Sequence, residues 1–255
     1  MSGKRLKVKL LAISGSPRAG GNTEWLLDQA IDEVKKVAIE WGVEIEIDKY
    51  STAGKFFLPC ISCFKCVELG YCKRGEEPGD DFNELRDKWL DADAVLFAVP
   101  VYHMTIPGNI RNFMDRLGNS LFSYYKGKVP KALKVYGAIT QGIHIFSGQE
   151  HTITDIINHS LLMGNVYVSG DMWENYIGAA GWTENDPLVT LDALKRYYDE
   201  GHFDAQVAVK AARSQGRRVA ELAILIKAGA LQFLEQLQRD DMYVALIKRL
   251  QSSIK

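Results

Sequence analysis

Four cysteines carry the densest chemistry in this 255-residue chain. Cys60, Cys63, Cys66 and Cys72 fall within thirteen residues, and the rest of the sequence has none. Their spacing, Cys-x2-Cys-x2-Cys-x5-Cys, lets one loop wrap four thiolates around a single centre. In a reducing compartment such a knot reads as a metal or cluster site ahead of a pair of disulfides. Bacterial ferredoxins use a Cys-x2-Cys-x2-Cys run on one cluster and draw the fourth ligand from elsewhere. Zinc more often takes two separated Cys-x2-Cys pairs. The spacing therefore favours an iron–sulfur centre over zinc, with disulfides third.

A second candidate site follows the first apolar run. Ser14-Gly-Ser-Pro-Arg-Ala-Gly-Gly-Asn-Thr23 joins a strand-like segment to a helix-like one. Such a turn aims backbone N–H groups and the positive end of the helix dipole at one point, which suits a phosphate. Ser16, Asn22 and Thr23 add short polar donors, Arg18 adds charge, and Gly21 opens the helix. A plain turn with a helix cap is the competing reading. A nucleotide-hydrolase loop would need Gly-Lys-Ser/Thr at this point, and a dinucleotide fingerprint would need Gly-x-Gly-x-x-Gly; neither spacing occurs. The loop suits a monophosphate such as that of FMN. Two further segments stand at the ends of later strands. Pro100, Val101, Tyr102, His103 and Met104 offer side chains and backbone groups to a flat ring, although Tyr102 as a core aromatic and Pro100 as a terminator is the bland alternative. Thr140, Gln141 and Gly142 allow close approach at the ring's other edge. The remaining histidines share no metal spacing, and nothing forms a Ser-His-Asp or paired-carboxylate pattern.

These loops need a scaffold, and the hydrophobic pattern supplies one. Lys7–Ile13, Val43–Ile47, Ala94–Val99, Leu133–Ile139 and Asn165–Ser169 read as strands. Between them lie helical patterns: one begins at Asn22 or Thr23 and ends at Gly42, and others cover Asp81–Leu90, Pro107–Arg116 and His151–Leu162. After a Gly- and Trp-rich loop, Gly178–Pro187, two more helices cover Leu191–Tyr198 and Phe203–Lys227. The alternation predicts βαβ units and a doubly wound parallel sheet of five strands, with the ligand beyond their carboxyl ends. Residues 1–228 form one domain that includes the cysteine loop 58–73. In the tail, 229–255, Leu231, Leu234 and Leu237, then Val244, Ile247 and Leu250, predict a helix or two packed on the core or used for subunit contact.

The bulk numbers agree with an ordinary globular chain: 47% hydrophobic, 25% charged, net charge −1. They give no electrostatic case for nucleic acid. No apolar run approaches the ~20 residues that span a bilayer. The apolar stretch after the basic start is only Leu10–Ile13, so a cytoplasmic location is expected.

Ser14–Thr23 together with Pro100–Arg116 resembles the NADPH-dependent FMN reductase branch of the flavodoxin-like superfamily. The compact four-cysteine loop resembles the iron–sulfur flavoproteins within that branch. The likeness spans roughly residues 5–225. It implies a flavodoxin-like sheet in the order 2-1-3-4-5, with FMN at its carboxyl edge and a 4Fe–4S cluster on the four cysteines. By position it implies Ser16, Arg18, Asn22 and Thr23 at the phosphate, Pro100 to Met104 along the ribityl chain and ring, and Thr140 to Gly142 at the far edge. It also implies homodimers or homotetramers in which one subunit's cluster approaches another's flavin. FMN exchanges a hydride or single electrons, and a cubane passes one electron at a time. The leading expectation is a redox flavoprotein working between a donor, ferredoxin or NAD(P)H, and an acceptor. An NAD(P)H-dependent FMN, quinone or nitroaromatic reductase without a functional cluster is one alternative, and a non-enzymatic redox sensor is another.

Overall fold

A computed structural model describes residues 5–125, 130–186, 188 and 190–254. Pro187, which closes the Gly- and Trp-rich loop, lies outside them, as do the chain ends 1–4 and 255. In chain order the elements are β1 (Lys7–Ser14), α1 (Asn22–Trp41), β2 (Glu44–Ser51), α2 (Lys65–Leu69), α3 (Phe82–Asp91), β3 (Ala94–Pro100), α4 (Gly108–Tyr124), β4 (Val135–Gly142) and α5 (Gln149–Leu162). They are followed by β5 (Val166–Tyr167), β6 (Ala179–Trp182), α6 (Ala193–Asp199), α7 (Phe203–Gln232), α8 (Leu234–Leu237) and α9 (Val244–Ile254).

The sheet is parallel in the order β2-β1-β3-β4-β5, the arrangement that the resemblance implies. A sixth strand departs from the five-strand expectation. β5 pairs with the start of β4 at Val135 and Tyr136, and β6 pairs with its end, from Ile139 to Gly142. The fifth lane is therefore two short segments, and β6 occupies part of the stretch read from sequence as loop.

Side-chain alternation sorts the core into two layers, as a sheet covered on both faces requires. Leu10, Ala12, Ala94, Leu96 and Ile139 face a cluster with Leu26, Leu27 and Ala30 of α1 and Ala208, Ala212 and Val219 of α7. Leu11, Ile13, Val95, Phe97 and Tyr136 face Phe82 and Trp89 of α3, Phe113 and Leu117 of α4, and Ile153 and Ile156 of α5. Helices α1 and α7 cross closely because Gly216 has no Cβ, which would stand 2.3 Å from the carbonyl oxygen of Ala30. α7 runs unbroken past residue 228, so the expected boundary between domain and tail falls within a helix.

The C-terminal helix is tied beneath the sheet by buried charge. Asp93, at the start of β3, accepts the Lys9 N–H at 3.0 Å, Lys227 Nζ of α7 at 2.5 Å and Arg249 Nε of α9 at 3.4 Å. Arg249 also donates to the Ala132 carbonyl at 2.6 Å. Buried Lys134 donates to the carbonyls of Leu90 and Ala92, and its amine is held well below the usual lysine range, first by loss of solvent and then by Arg249.

His159 of α5 is buried near the Tyr136 ring, and burial first, then Arg111, pushes its pKa down to about 4. The folded protein keeps this imidazole neutral while the unfolded chain protonates it near 6.5. Between those values the unfolded state binds more protons, so stability is full above about pH 6.5 and falls toward pH 4. The single group contributes at most about 1.4 kcal/mol per pH unit in that window. Urea titrations between pH 7 and 4.5 should show a flatter acid slope for His159→Leu than for the parent; equal slopes would place the acid sensitivity elsewhere.

Candidate functional site

Two neighbouring constructions occupy the carboxyl side of the sheet. The first surrounds the N-terminus of α1. Gly15 donates to the Ala98 carbonyl at 2.7 Å, fixing the loop across β3. Ser16 Oγ accepts the Arg18 N–H at 3.2 Å, closing a tight turn. Ser16, Asn22 and Thr23 are buried, and Arg18 is exposed. The first N–H groups of α1 have no acceptor within the helix, as at any helix start.

The Asn22 side chain has a different engagement from the one expected. Its Nδ2 donates to the Thr190 carbonyl at 2.9 Å, and its Oδ1 accepts the Leu194 N–H at 2.9 Å. It thus braces the β6–α6 connection against the phosphate loop. Asp186 organises the far side of that brace. Its carboxylate accepts N–H groups from Thr190 at 3.1 Å and Leu188 at 3.2 Å and the Thr190 hydroxyl at 2.9 Å, and these bonds, Thr190's foremost, hold the acid below the usual carboxylate range. Sequence reasoning missed this brace because nothing local to Asn22 marks partners at Thr190 and Leu194.

The loops after β3 and β4 meet each other. Tyr102 and Thr105 exchange backbone hydrogen bonds of 2.8 and 3.1 Å, so His103 and Met104 form a two-residue hairpin turn. Both adopt left-handed backbone, φ 48° and 70°, a geometry that usually recruits Asn and Gly. Such strain persists where surroundings over-determine it, commonly at binding sites. Gly148, φ 110°, makes the abutment possible: a Cβ there would lie 2.4 Å from Met104 Cα. Val101 donates to the Gln141 carbonyl at 2.8 Å, tying the two strand ends. Ser14 Oγ on β1 and Thr140 Oγ1 on β4 are buried without a hydrogen-bond partner among the described residues. Tyr102 and Met104 stand about half exposed at 46% and 50%. The expected residues of all three loops thus lie at the carboxyl ends of the adjacent strands β1, β3 and β4.

The second construction is the cysteine loop between β2 and α3. All four cysteines line one cavity of about 540 Å³, with Arg116, Asn119, Ser120 and Ser123 in its wall. Ser62 and Phe64 take left-handed backbone, φ 50° and 55°, as the loop winds around it. Among the described residues no three His, Cys, Asp or Glu side chains are arranged to hold a single metal ion. A polar stripe on α4 fastens the loop. Asn109 bonds the backbone of Lys55 and Phe57, and Asn112 bonds the Phe57 carbonyl. Arg116 Nη1 donates to the Leu58 carbonyl at 3.1 Å and Nε to Cys72 Sγ at 3.2 Å. Asn119 Nδ2 lies 3.5 Å from Cys60 Sγ, and Ser123 Oγ lies 3.3 Å from Cys66 Sγ and 2.8 Å from the Asn119 carbonyl, so its one proton is shared between them. Arg116 is fully buried, 2.5 Å from an equally buried Asp80 carboxylate and over the Phe82 ring at 4.1 Å. Its Nη2 has no acceptor among the described residues.

These five α4 residues recur at intervals of 3, 4, 3 and 4, one face of a helix. That periodicity was open to sequence reading, but the helix read from sequence stops at Arg116, short of Asn119 and Ser123.

Comparison with known proteins decides the family. The model of NADPH-dependent FMN reductases matches residues 8–174. The chain belongs to that family. It is 30% identical over 221 residues to an iron-sulfur flavoprotein of Methanocaldococcus jannaschii, an alignment covering 86% of this chain and 100% of the relative. An iron-sulfur flavoprotein of Archaeoglobus fulgidus is 31% identical over 204 residues, 79% of this chain and 93% of the other. Among solved structures, RosB with a bound 8-demethyl-8-formylriboflavin-5'-phosphate superposes with a TM-score of 0.56 at 15% identity, covering 90% of this chain and 87% of that one. A flavone reductase superposes with a TM-score of 0.53 at 21% identity, covering 85% and 63%. These two share the fold. As a family member the chain is an FMN-dependent oxidoreductase. Among the described residues no helix is long and apolar enough to cross a membrane.

Proposed function

We propose that this flavoprotein moves electrons between a donor, NAD(P)H or a ferredoxin, and an acceptor by combining FMN with a 4Fe–4S cluster on Cys60, Cys63, Cys66 and Cys72. The observation that carries the reading is the single cavity lined by all four thiols, with hydrogen-bond donors on three of the sulfurs. A buried guanidinium nitrogen without an acceptor suits a site that takes an anionic group rich in sulfur. The names of the two archaeal relatives agree with it.

When bound, the flavin supplies two-electron or one-electron chemistry and the cluster one-electron chemistry. The chain's residues position both. The N-terminus of α1 offers N–H groups to the FMN phosphate, with Ser16, Arg18 and Thr23 alongside. The Pro100–Met104 turn and Thr140–Gly142 border the ring, and Gly148 lets those loops close on each other. The Arg116–Asp80 pair fixes Cys72. Exposed Ile61, Phe64 and Val67 surround exposed Cys63, a surface suited to subunit contact and to transfer from one subunit's cluster to another's flavin in a homo-oligomer.

Anaerobically purified protein should contain about four irons and four sulfides per chain and show flavin bands over a broad brown absorbance. Cys63→Ser should lose most of the iron and the brown absorbance while retaining FMN, because the phosphate loop is a separate construction. Full iron and sulfide in that variant would reject the ligand assignment; flavin without iron in the parent would favour a cluster-free reductase.

A further inference from the structure

We infer that the polar face of α4 is the second half of the cluster site: Arg116, Asn119 and Ser123 set the reduction potential of the centre by donating to three of its four thiolates. This rests on the cluster reading above. Arg116 and Asn119 reach two different sulfurs with N–H donors, Cys72 at 3.2 Å and Cys60 at 3.5 Å, and the Ser123 hydroxyl, 3.3 Å from Cys66, shares its one proton between that sulfur and the Asn119 carbonyl at 2.8 Å, all from one stripe of one helix. The same helix packs Phe113 and Leu117 into the core on another face, so the donors stand on a rigid element. Arg116 has a further reason to be fixed: its charge is buried against Asp80, and its carbonyl partner, Leu58, lies two residues before Cys60. Among the described residues Cys63 receives no such bond, and it is the exposed cysteine of the four.

The sign follows from charge. One-electron reduction adds one negative charge to the centre, and N–H and O–H dipoles aimed at its sulfurs favour the more negative state. Removing a donor should make reduction harder. A charge-assisted hydrogen bond to an ionised acceptor is worth about one to two decades in an equilibrium constant, and tenfold in a one-electron couple is 59 mV. Since both oxidation states keep the bond to some degree, up to tenfold per donor is the expected range. Arg116, Asn119 and Ser123 are positioning and tuning residues, and no electron is routed through them.

The test is an EPR-monitored redox titration of the anaerobically purified protein, with iron and sulfide measured on the same samples. Asn119→Ala should hold a full complement of iron and show a lower cluster potential, by up to tenfold in the reduction equilibrium; Ser123→Ala, which loses a proton shared with a backbone carbonyl, should show a smaller drop in the same direction, and the double variant more than either. Ser123→Thr keeps the hydroxyl and should restore the parent potential. Arg116→Lys should lower both potential and iron content, because Cys72 loses its donor and Leu58 its anchor. Should it not fold, Asn119 and Ser123, nearer the surface, carry the test alone. Full iron with parent potentials in both of those variants would overturn the inference. A parent protein devoid of iron and sulfide would instead overturn the cluster reading on which it rests.

Discussion

Asp93→Ala is expected to lower the unfolding free energy by about 3–5 kcal/mol, the cost of leaving buried charge without its counter-ion. Asp93 pairs with both Lys227 of α7 and Arg249 of α9, all three nearly inaccessible to solvent. For a chain of this size the corresponding drop in midpoint temperature is roughly 6–20 °C. Burying charge in this way does not by itself stabilise the fold: the desolvation of three ions offsets much of their attraction. The prediction is therefore about mismatch. A triple variant, Asp93→Leu with Lys227→Met and Arg249→Met, should recover most of what Asp93→Ala loses, and the strong non-additivity is the diagnostic. Chemical unfolding of the single and triple variants measures both. A loss below about 1 kcal/mol in Asp93→Ala would mean that water reaches the cations, and α9 would then not be fastened through this carboxylate.

That buried triad also marks the limit of what the sequence discloses. The partners lie 134 and 156 residues apart along the chain, and nothing near Asp93, Lys227 or Arg249 distinguishes them from solvated charges. The parallel sheet was legible because its strands are continuous apolar runs, Ala94–Val99 most of all, as burial on both faces demands. β6 was not, because Ala-Ala-Gly-Trp has no β-branched residue; its strand form comes from pairing with Ile139–Gly142. The site divides in the same way. The cysteine spacing and the strand-to-helix turn are local signals and stood out in the sequence. The donors on α4 are 44 to 59 residues from the sulfurs they reach, and only closure of the loop onto the helix reveals them.

Arg18 and Asn22, four residues apart in one loop, are expected to separate cleanly when each is changed to alanine. Arg18 is exposed beside the start of α1, where a phosphate would sit, so Arg18→Ala should weaken FMN by about one to two decades, the 1.5–3 kcal/mol of a charge-assisted hydrogen bond. Riboflavin, which lacks the phosphate, should bind as before, and the ligand-free protein should unfold within about 0.5 kcal/mol of the parent, as for most surface changes. Asn22 differs because its amide is buried and spans the loop to Thr190 and Leu194. Asn22→Ala leaves the half-buried Thr190 carbonyl and the buried Leu194 N–H unsatisfied, so the ligand-free protein itself should lose about 1–3 kcal/mol of stability, with weaker FMN binding as a consequence. Flavin fluorescence titrations and urea unfolding of the ligand-free variants measure all of these. Equal weakening of FMN and riboflavin by Arg18→Ala would place the guanidinium away from the phosphate. Unchanged stability of ligand-free Asn22→Ala would return that side chain from brace to phosphate contact. The loop would then owe its shape to Gly15 and Ser16, whose bonds to Ala98 and within the turn do not depend on either side chain.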